Sequence, residues 1–164
     1  MNYNLKKNKQ GFTLIELMLV VIIIGVLASL SIPRFLEASK KAKYSQAHMF
    51  LKRMYVGLLD FYTEKGCYPA DVYPNIKPPG LVPLYVDEWP SPTRDPLNSM
   101  YDYQEWNRGG GFSWIGVTYV GEDLLHDRAT NWGSYYTTHG KPGEILSVGD
   151  DLFIVVDLKG VPCP

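Results

Sequence analysis

One carboxylate stands inside an otherwise apolar run. From Phe12 to Ile32 the chain reads FTLIELMLVVIIIGVLASLSI, and Glu16 is its only ionisable side chain. A charge in hydrocarbon costs a few kcal/mol, about 2.5–3.5 on insertion scales, unless it is protonated or meets a cation, so Glu16 asks for a partner. A carboxylate that snorkels to the membrane interface is the other reading. Few other residues have types and spacings suited to chemistry. His48, His126 and His139 form no HxxxH pair and the two cysteines no CxxC. His126, Asp127, His139 and Asp150 are the combination closest to a metal set, although surface histidines are commoner than ligands. Cys67 and Cys163 make one bridge or two free thiols. As a bridge they close a loop of nearly a hundred residues, stabilise by about 4–5 kcal/mol on the chain-entropy account, and require an oxidising compartment. Serine-nucleophile, P-loop and dinucleotide signatures are absent, so the chain reads as a non-enzyme.

Those residues need elements to hold them. As a helix, the 21 residues from Phe12 to Ile32 extend about 32 Å, enough for a hydrocarbon core of about 30 Å. The stretch reads as a signal peptide, as a plain anchor, or as a segment that sits first in a bilayer and later in a protein assembly. A signal peptide has a shorter apolar region, about 7–15 residues, and a small-x-small cleavage site to which Ser29-Leu30-Ser31 is only an approach. Gly25 suits a close helix contact, and Pro33 a helix end. Beyond Arg34 there is no proline before Lys65, and Ala47, Phe50, Leu51, Met54, Leu58, Phe61 and Tyr62 recur at helical spacing as a packing stripe. Gly66 and Pro69 then stop the helix. A helix from Phe12 to Lys65 has 54 residues and a length of about 80 Å.

Charge is divided unevenly along these 164 residues, although the net formal charge is only -1. Residues 34–53 hold Arg34, Lys40, Lys41, Lys43, Lys52 and Arg53 against Glu37 alone, whereas residues 54–164 hold seven Lys or Arg against fifteen Asp or Glu. The basic neck reads as a solvated helix face, or as a contact for anionic lipid or for acidic patches of neighbouring copies. The acidic body argues against nucleic acid as a partner. Eight prolines between Pro69 and Pro96 predict an irregular, ordered loop over residues 67–110, with Tyr68, Tyr73, Trp89, Tyr101, Tyr103 and Trp106 covering the helix and a sheet edge. Strands are predicted at 112–120, 135–138, 145–148 and 152–157, with Gly109-Gly110-Gly111 and Gly149-Asp150 as turns. The fold class expected is α+β, a small antiparallel sheet laid over the apolar stripe of the helix. Trp132, Tyr135 and Tyr136 read by default as packing residues.

Gly11-Phe12-Thr13-Leu14-Ile15-Glu16, the apolar run behind it and Pro33 together resemble the N-terminus of type IV prepilins and type II secretion pseudopilins. The resemblance covers about the first third of the chain and implies a pilin-like fold. It implies a leader, residues 1–11, removed by a prepilin peptidase between Gly11 and Phe12, with methylation of the new Phe12 amine. It also implies that Glu16 pairs with the N-terminal amine of a neighbouring subunit, and that Pro33 is a kink or a melted turn inside a longer helix. The implied organisation is leader 1–11, transmembrane and filament-core helix 12–33, amphipathic helix 34–66 and globular head 67–164. FYTEKGCYP resembles the pseudopilin helix-to-head join, and Asp95-Pro96-Leu97-Asn98-Ser99-Met100-Tyr101 resembles DPWGNPY, with Leu97 and Asn98 replacing Trp and Gly. Major pseudopilins hold calcium in a C-terminal loop, which Ser147-Val148-Gly149-Asp150-Asp151 resembles in part, making Asp150 and Asp151 the candidate calcium ligands. Paired turn aspartates are the plainer reading. Expected partners are other copies in a helical filament, the prepilin peptidase, an inner-membrane assembly platform with minor pseudopilins, and lipid before assembly. The expected location is the bacterial inner membrane with the head outside the cytoplasm, then a periplasmic or extracellular filament. Pseudopilin, major type IV pilin, and a minor pilin or adhesin-type binding module are the functional readings in contention.

Overall fold

Residues 11–90, 99–107, 109–124 and 140–164 are described by the structure, a computed structural model. The chain divides into two compact units, Met1–Lys41 and Ala42–Pro164. One helix, α1 (Leu14–Lys65), contributes to both. Its helical assignment continues through Pro33 without a melted turn, although Pro33 has no N–H to offer the Ser29 carbonyl. In the first unit the large apolar side chains from Phe12 to Leu36 are exposed, Phe12 at 83% and Ile15 at 74%. Among the described residues α1 is the helix long and apolar enough to cross a membrane.

In the second unit the helix buries one face. Ala47, Leu51, Met54, Leu58 and Phe61 follow the 3 and 4 spacing, and all are buried against the inner face of a sheet. Four strands form that sheet: β1 (Met100–Asn107), β2 (Ser113–Val120), β3 (Ile145–Val148) and β4 (Asp151–Gly160). Their order is β1-β2-β4-β3, antiparallel throughout. Ile115, Val117 and Tyr119 of β2 and Leu152, Ile154 and Val156 of β4 face the helix, while Trp114, Phe153 and Val155 form a second buried cluster. This two-sided cover explains why all eight residues of β2 are buried, where alternation would bury only half. Gly149 takes φ 61 in the two-residue turn between Val148 and Asp151. The β2–β4 register shifts on either side of Ile115, a bulge in the ladder.

Strand β1 departs from expectation, since residues 100–107 were read within an irregular loop. The prolines end at Pro96, and beyond it Tyr101 and Tyr103 turn into the core while Asp102 and Gln104 face the other way, an alternation that suits an edge strand. The loop expectation holds for residues 69–90, which form no regular strand or helix. This segment covers the open edge of β1: Asn75 donates its N–H to the Tyr101 carbonyl (2.8 Å), and its Oδ1 accepts from the Tyr101 N–H (3.1 Å). The strand predicted at 135–138, with Trp132, Tyr135 and Tyr136, lies outside the described residues, as does most of the Asp95–Tyr101 segment.

At Gly57 the helix and the loop approach closely. A Cβ there would stand 2.7 Å from the Tyr85 carbonyl oxygen and collide with a Val86 methyl. Overpacking costs about 1–3 kcal/mol, while exchanging glycine for alanine in a helix returns about 1 kcal/mol. Gly57→Ala is therefore expected to destabilise the head by up to about 2 kcal/mol, seen as a lower urea midpoint by circular dichroism. An unchanged or raised midpoint would contradict this packing.

Candidate functional site: the helix start and the clamp on the head

At the start of α1 the chain caps itself. Thr13 precedes the first helical residue; its N–H and Oγ1 donate to Glu16 Oε2 at 2.9 and 2.7 Å, and its Oγ1 accepts from the Glu16 N–H at 3.3 Å. This is a reciprocal capping box, Thr-x-x-Glu. Its spacing was legible in the sequence, but Glu16 drew attention only as a stranded charge. The box orients the carboxylate without neutralising it, because an amide and a hydroxyl bring no positive charge. Gly11 and Phe12 lie just before the helix, exposed and non-helical. Ser29 and Ser31 donate their hydroxyls to the carbonyls of Val26 and Leu27, satisfying polar groups that hydrocarbon would leave bare.

The basic neck is partly engaged. Lys52 Nζ donates to the Gly143 carbonyl, and the Arg53 guanidinium stands 5.5 Å from the Phe50 ring centre. A fully solvated face does not describe these two.

At the far end of α1, Gly66 adopts φ 73 and donates its N–H to the Tyr62 carbonyl (2.8 Å), ending the helix as a left-handed cap. Cys67 then bonds to Cys163, their Cα atoms 4.9 Å apart and 96 residues apart in sequence. Tyr68 N–H donates to the Val161 carbonyl (2.7 Å) and Cys163 N–H to the Tyr68 carbonyl (2.8 Å), so the tail pairs with the helix exit beside the bridge. Tyr68 stacks on Tyr62 at 4.6 Å, and its hydroxyl reaches Asp157 at 3.3 Å. Burial, and then the Asp157 charge, push the Tyr68 phenol well above its ordinary range.

Asp150 and Asp151 grip the chain that leaves β2. Gly121 N–H donates to Asp151 Oδ1 (2.9 Å), and the Glu122 and Asp123 N–H groups donate to Asp150 Oδ2 (2.6 and 3.3 Å). Burial, with Asp150, Glu122 and Asp151 nearby, pushes the Tyr44 phenol up to about 12. Calcium takes six to eight oxygens. Among the described residues no three His, Cys, Asp or Glu side chains are arranged to hold a metal, and these two carboxylates already accept from backbone. His126, Asp127 and His139 lie outside the described residues.

A long N-terminal helix with an exposed apolar half, followed by a four-stranded antiparallel sheet, defines an α+β protein of pilin-like fold. Residues 6–32 match the prokaryotic N-terminal methylation motif. The chain is 29% identical to the type II secretion system core protein G of Escherichia coli K12, over 76% of this chain and 92% of that protein. It is 48% identical to the type IV major pilin protein PilA of Myxococcus xanthus DK1622, over 36% of this chain and 27% of that one. To the type IV major pilin protein PilE of Neisseria gonorrhoeae it is 33% identical over 38% of each chain. It thus spans less than half the length of these two pilins. No solved structure matches it. The chain carries a prepilin motif and has both type IV pilins and a pseudopilin among its relatives.

Proposed function

We propose that this protein is a structural subunit of a type IV pilus-like filament and, more narrowly, a pseudopilin of a type II secretion system. The observation that carries the filament reading is the exposed apolar helix with Glu16 in its first turn, beginning just behind the exposed Gly11–Phe12 peptide. A surface of that kind is stable only in lipid or against other helices. The precursor sits in the inner membrane with its head outside the cytoplasm. Prepilin peptidase removes residues 1–11, Phe12 is methylated, and an assembly platform with minor pseudopilins draws residues 12–33 into the filament core. Glu16 pairs there with the Phe12 amine of a neighbour, and residues 34–66 with the head 67–164 form the outer part. The pseudopilin reading is supported by the match to protein G, which extends over 76% of this chain, whereas the matches to PilA and PilE cover 36% and 38%. A major pilin is the second reading, favoured by the higher local identity to PilA.

The test is the intact mass and N-terminal sequence of the protein extracted from its host membrane. A chain that begins at N-methylated Phe12 supports the proposal; an uncut chain, or one beginning near Ile32, overturns it. Deleting the gene then separates the finer readings, by loss of protein secretion for a pseudopilin and loss of surface pili for a major pilin.

A further inference from the structure

Just past its apolar run, α1 carries a short basic segment. Residues 34–41 read RFLEASKK, with Arg34, Lys40 and Lys41 against Glu37 alone. At about 1.5 Å per residue, Arg34 stands about 3 Å beyond Ile32, and Lys40 and Lys41 about 12–14 Å beyond it. Arg34 and Lys41 are two helical turns apart and so share a face of the helix, with Glu37 between them at spacings of three and four. Ion pairs form at such spacings, yet Arg34, Glu37 and Lys41 make none among the described residues. All three are exposed, and so are their apolar neighbours, Phe35 at 73% and Leu36 at 61%.

An aromatic and an aliphatic side chain interleaved with cations suit a membrane surface, where the apolar groups settle at the acyl boundary and the cations reach phosphates. Height along the helix agrees. If residues 12–32 fill the hydrocarbon core, the headgroup layer takes roughly the next 5–8 Å, which places Arg34 and Phe35 within it and Lys40 and Lys41 just above it, inside a Debye length of about 8–10 Å. An acidic face on a second copy would take up the cations at any height, and gives no reason for Phe35 and Leu36 to stand beside them. Zwitterionic headgroups carry no net charge, whereas anionic lipid attracts each nearby cation. We propose that residues 34–41 form a docking surface for anionic phospholipid headgroups of the outer leaflet, holding the membrane-stored subunit beside lipids such as phosphatidylglycerol until assembly draws it out. The site rests on the membrane-spanning reading of residues 12–33 and adds the lipid class which that reading leaves open.

The test uses the full-length protein in phosphatidylcholine bilayers holding a trace of spin-labelled phosphatidylglycerol or spin-labelled phosphatidylcholine, and compares the motionally restricted fraction of each label by electron paramagnetic resonance. The wild-type chain is expected to favour phosphatidylglycerol about threefold or more at about 0.1 M salt, and the preference should fall toward one at about 1 M, where the Debye length shrinks to about 3 Å. The double variant Arg34→Gln, Lys41→Gln leaves Lys40 against Glu37 and should lose at least about half of the preference, while Glu37→Gln should raise it. Lys6, Lys7 and Lys9 are present in every chain, so the differences report residues 34–41 alone. Equal restriction of the two labels by the wild-type chain, or a preference that these substitutions leave unaltered, overturns the proposal. So does a double variant that keeps the lipid preference but loses self-association in phosphatidylcholine, which assigns Arg34 and Lys41 to the acidic head of a second copy. A chain that carbonate washes from the bilayer overturns the membrane-spanning reading as well, whereas one that stays inserted without a lipid preference overturns this site alone.

Discussion

Glu16→Ala is expected to lower filament assembly about a hundredfold while leaving the head as stable as before. The carboxylate bonds to Thr13, three residues away, and the buried core of the head begins at Ala47, so nothing in the head depends on it. Holding an unpaired charge in hydrocarbon costs about 3 kcal/mol, and relief of that cost on pairing corresponds to roughly two powers of ten in an equilibrium. The alanine also removes the capping box, a local loss of about 0.5–2 kcal/mol. Glu16→Gln separates the two effects. Glutamine preserves the cap but carries no charge, so it should assemble as poorly as alanine, read by filament yield in sedimentation and electron microscopy. Wild-type assembly by the glutamine variant would refute the charge pairing and leave Glu16 as a helix cap.

Removing the Cys67–Cys163 bridge should have the largest effect on the head. Closing a loop with a separation of 96 residues stabilises by about 4–5 kcal/mol through the unfolded chain, a large share of the 5–15 kcal/mol typical of a whole domain. The double variant Cys67→Ser, Cys163→Ser is expected to melt roughly 12–30 °C lower, at about 3–6 °C per kcal/mol for a unit of this size. Hydrogen exchange at the Tyr68 and Cys163 amides, which pair the tail with the helix exit, should accelerate first. A fall of only a few degrees would mean that the Tyr68 pairing and the Tyr62 stack hold the tail without the bridge. The bridge forms only where thiols are oxidised, which agrees with a head outside the cytoplasm.

Much of the fold was legible because the signals were local. The helix stripe, the Gly66 stop and the β-branched runs of β2 and β4 arise from contacts a few residues apart or from strand alternation, so pattern alone locates them. The capping box is equally local and was overlooked because a charge in an apolar run commands the more obvious explanation. Strand β1 was hidden by its neighbourhood: the Pro-rich stretch before it and the glycines after it made an alternating segment read as more loop. Asp150 and Asp151 show the reverse case, since nothing near them in sequence reveals that their carboxylates serve amides almost thirty residues back.

By its sequence alone this chain is committed to an N-terminal helix with one carboxylate in apolar surroundings, a match to the N-terminal methylation motif over residues 6–32, and an α+β head. These depend on residue type and short-range periodicity, which are present before the chain folds. Tertiary structure decided that the two cysteines meet, that residues 71–75 cover the edge of β1, and that Asp71 and Gln104 line one cleft. Each joins positions from about thirty to nearly a hundred residues apart, and only the packing of the sheet on the helix brings such distant segments to one place.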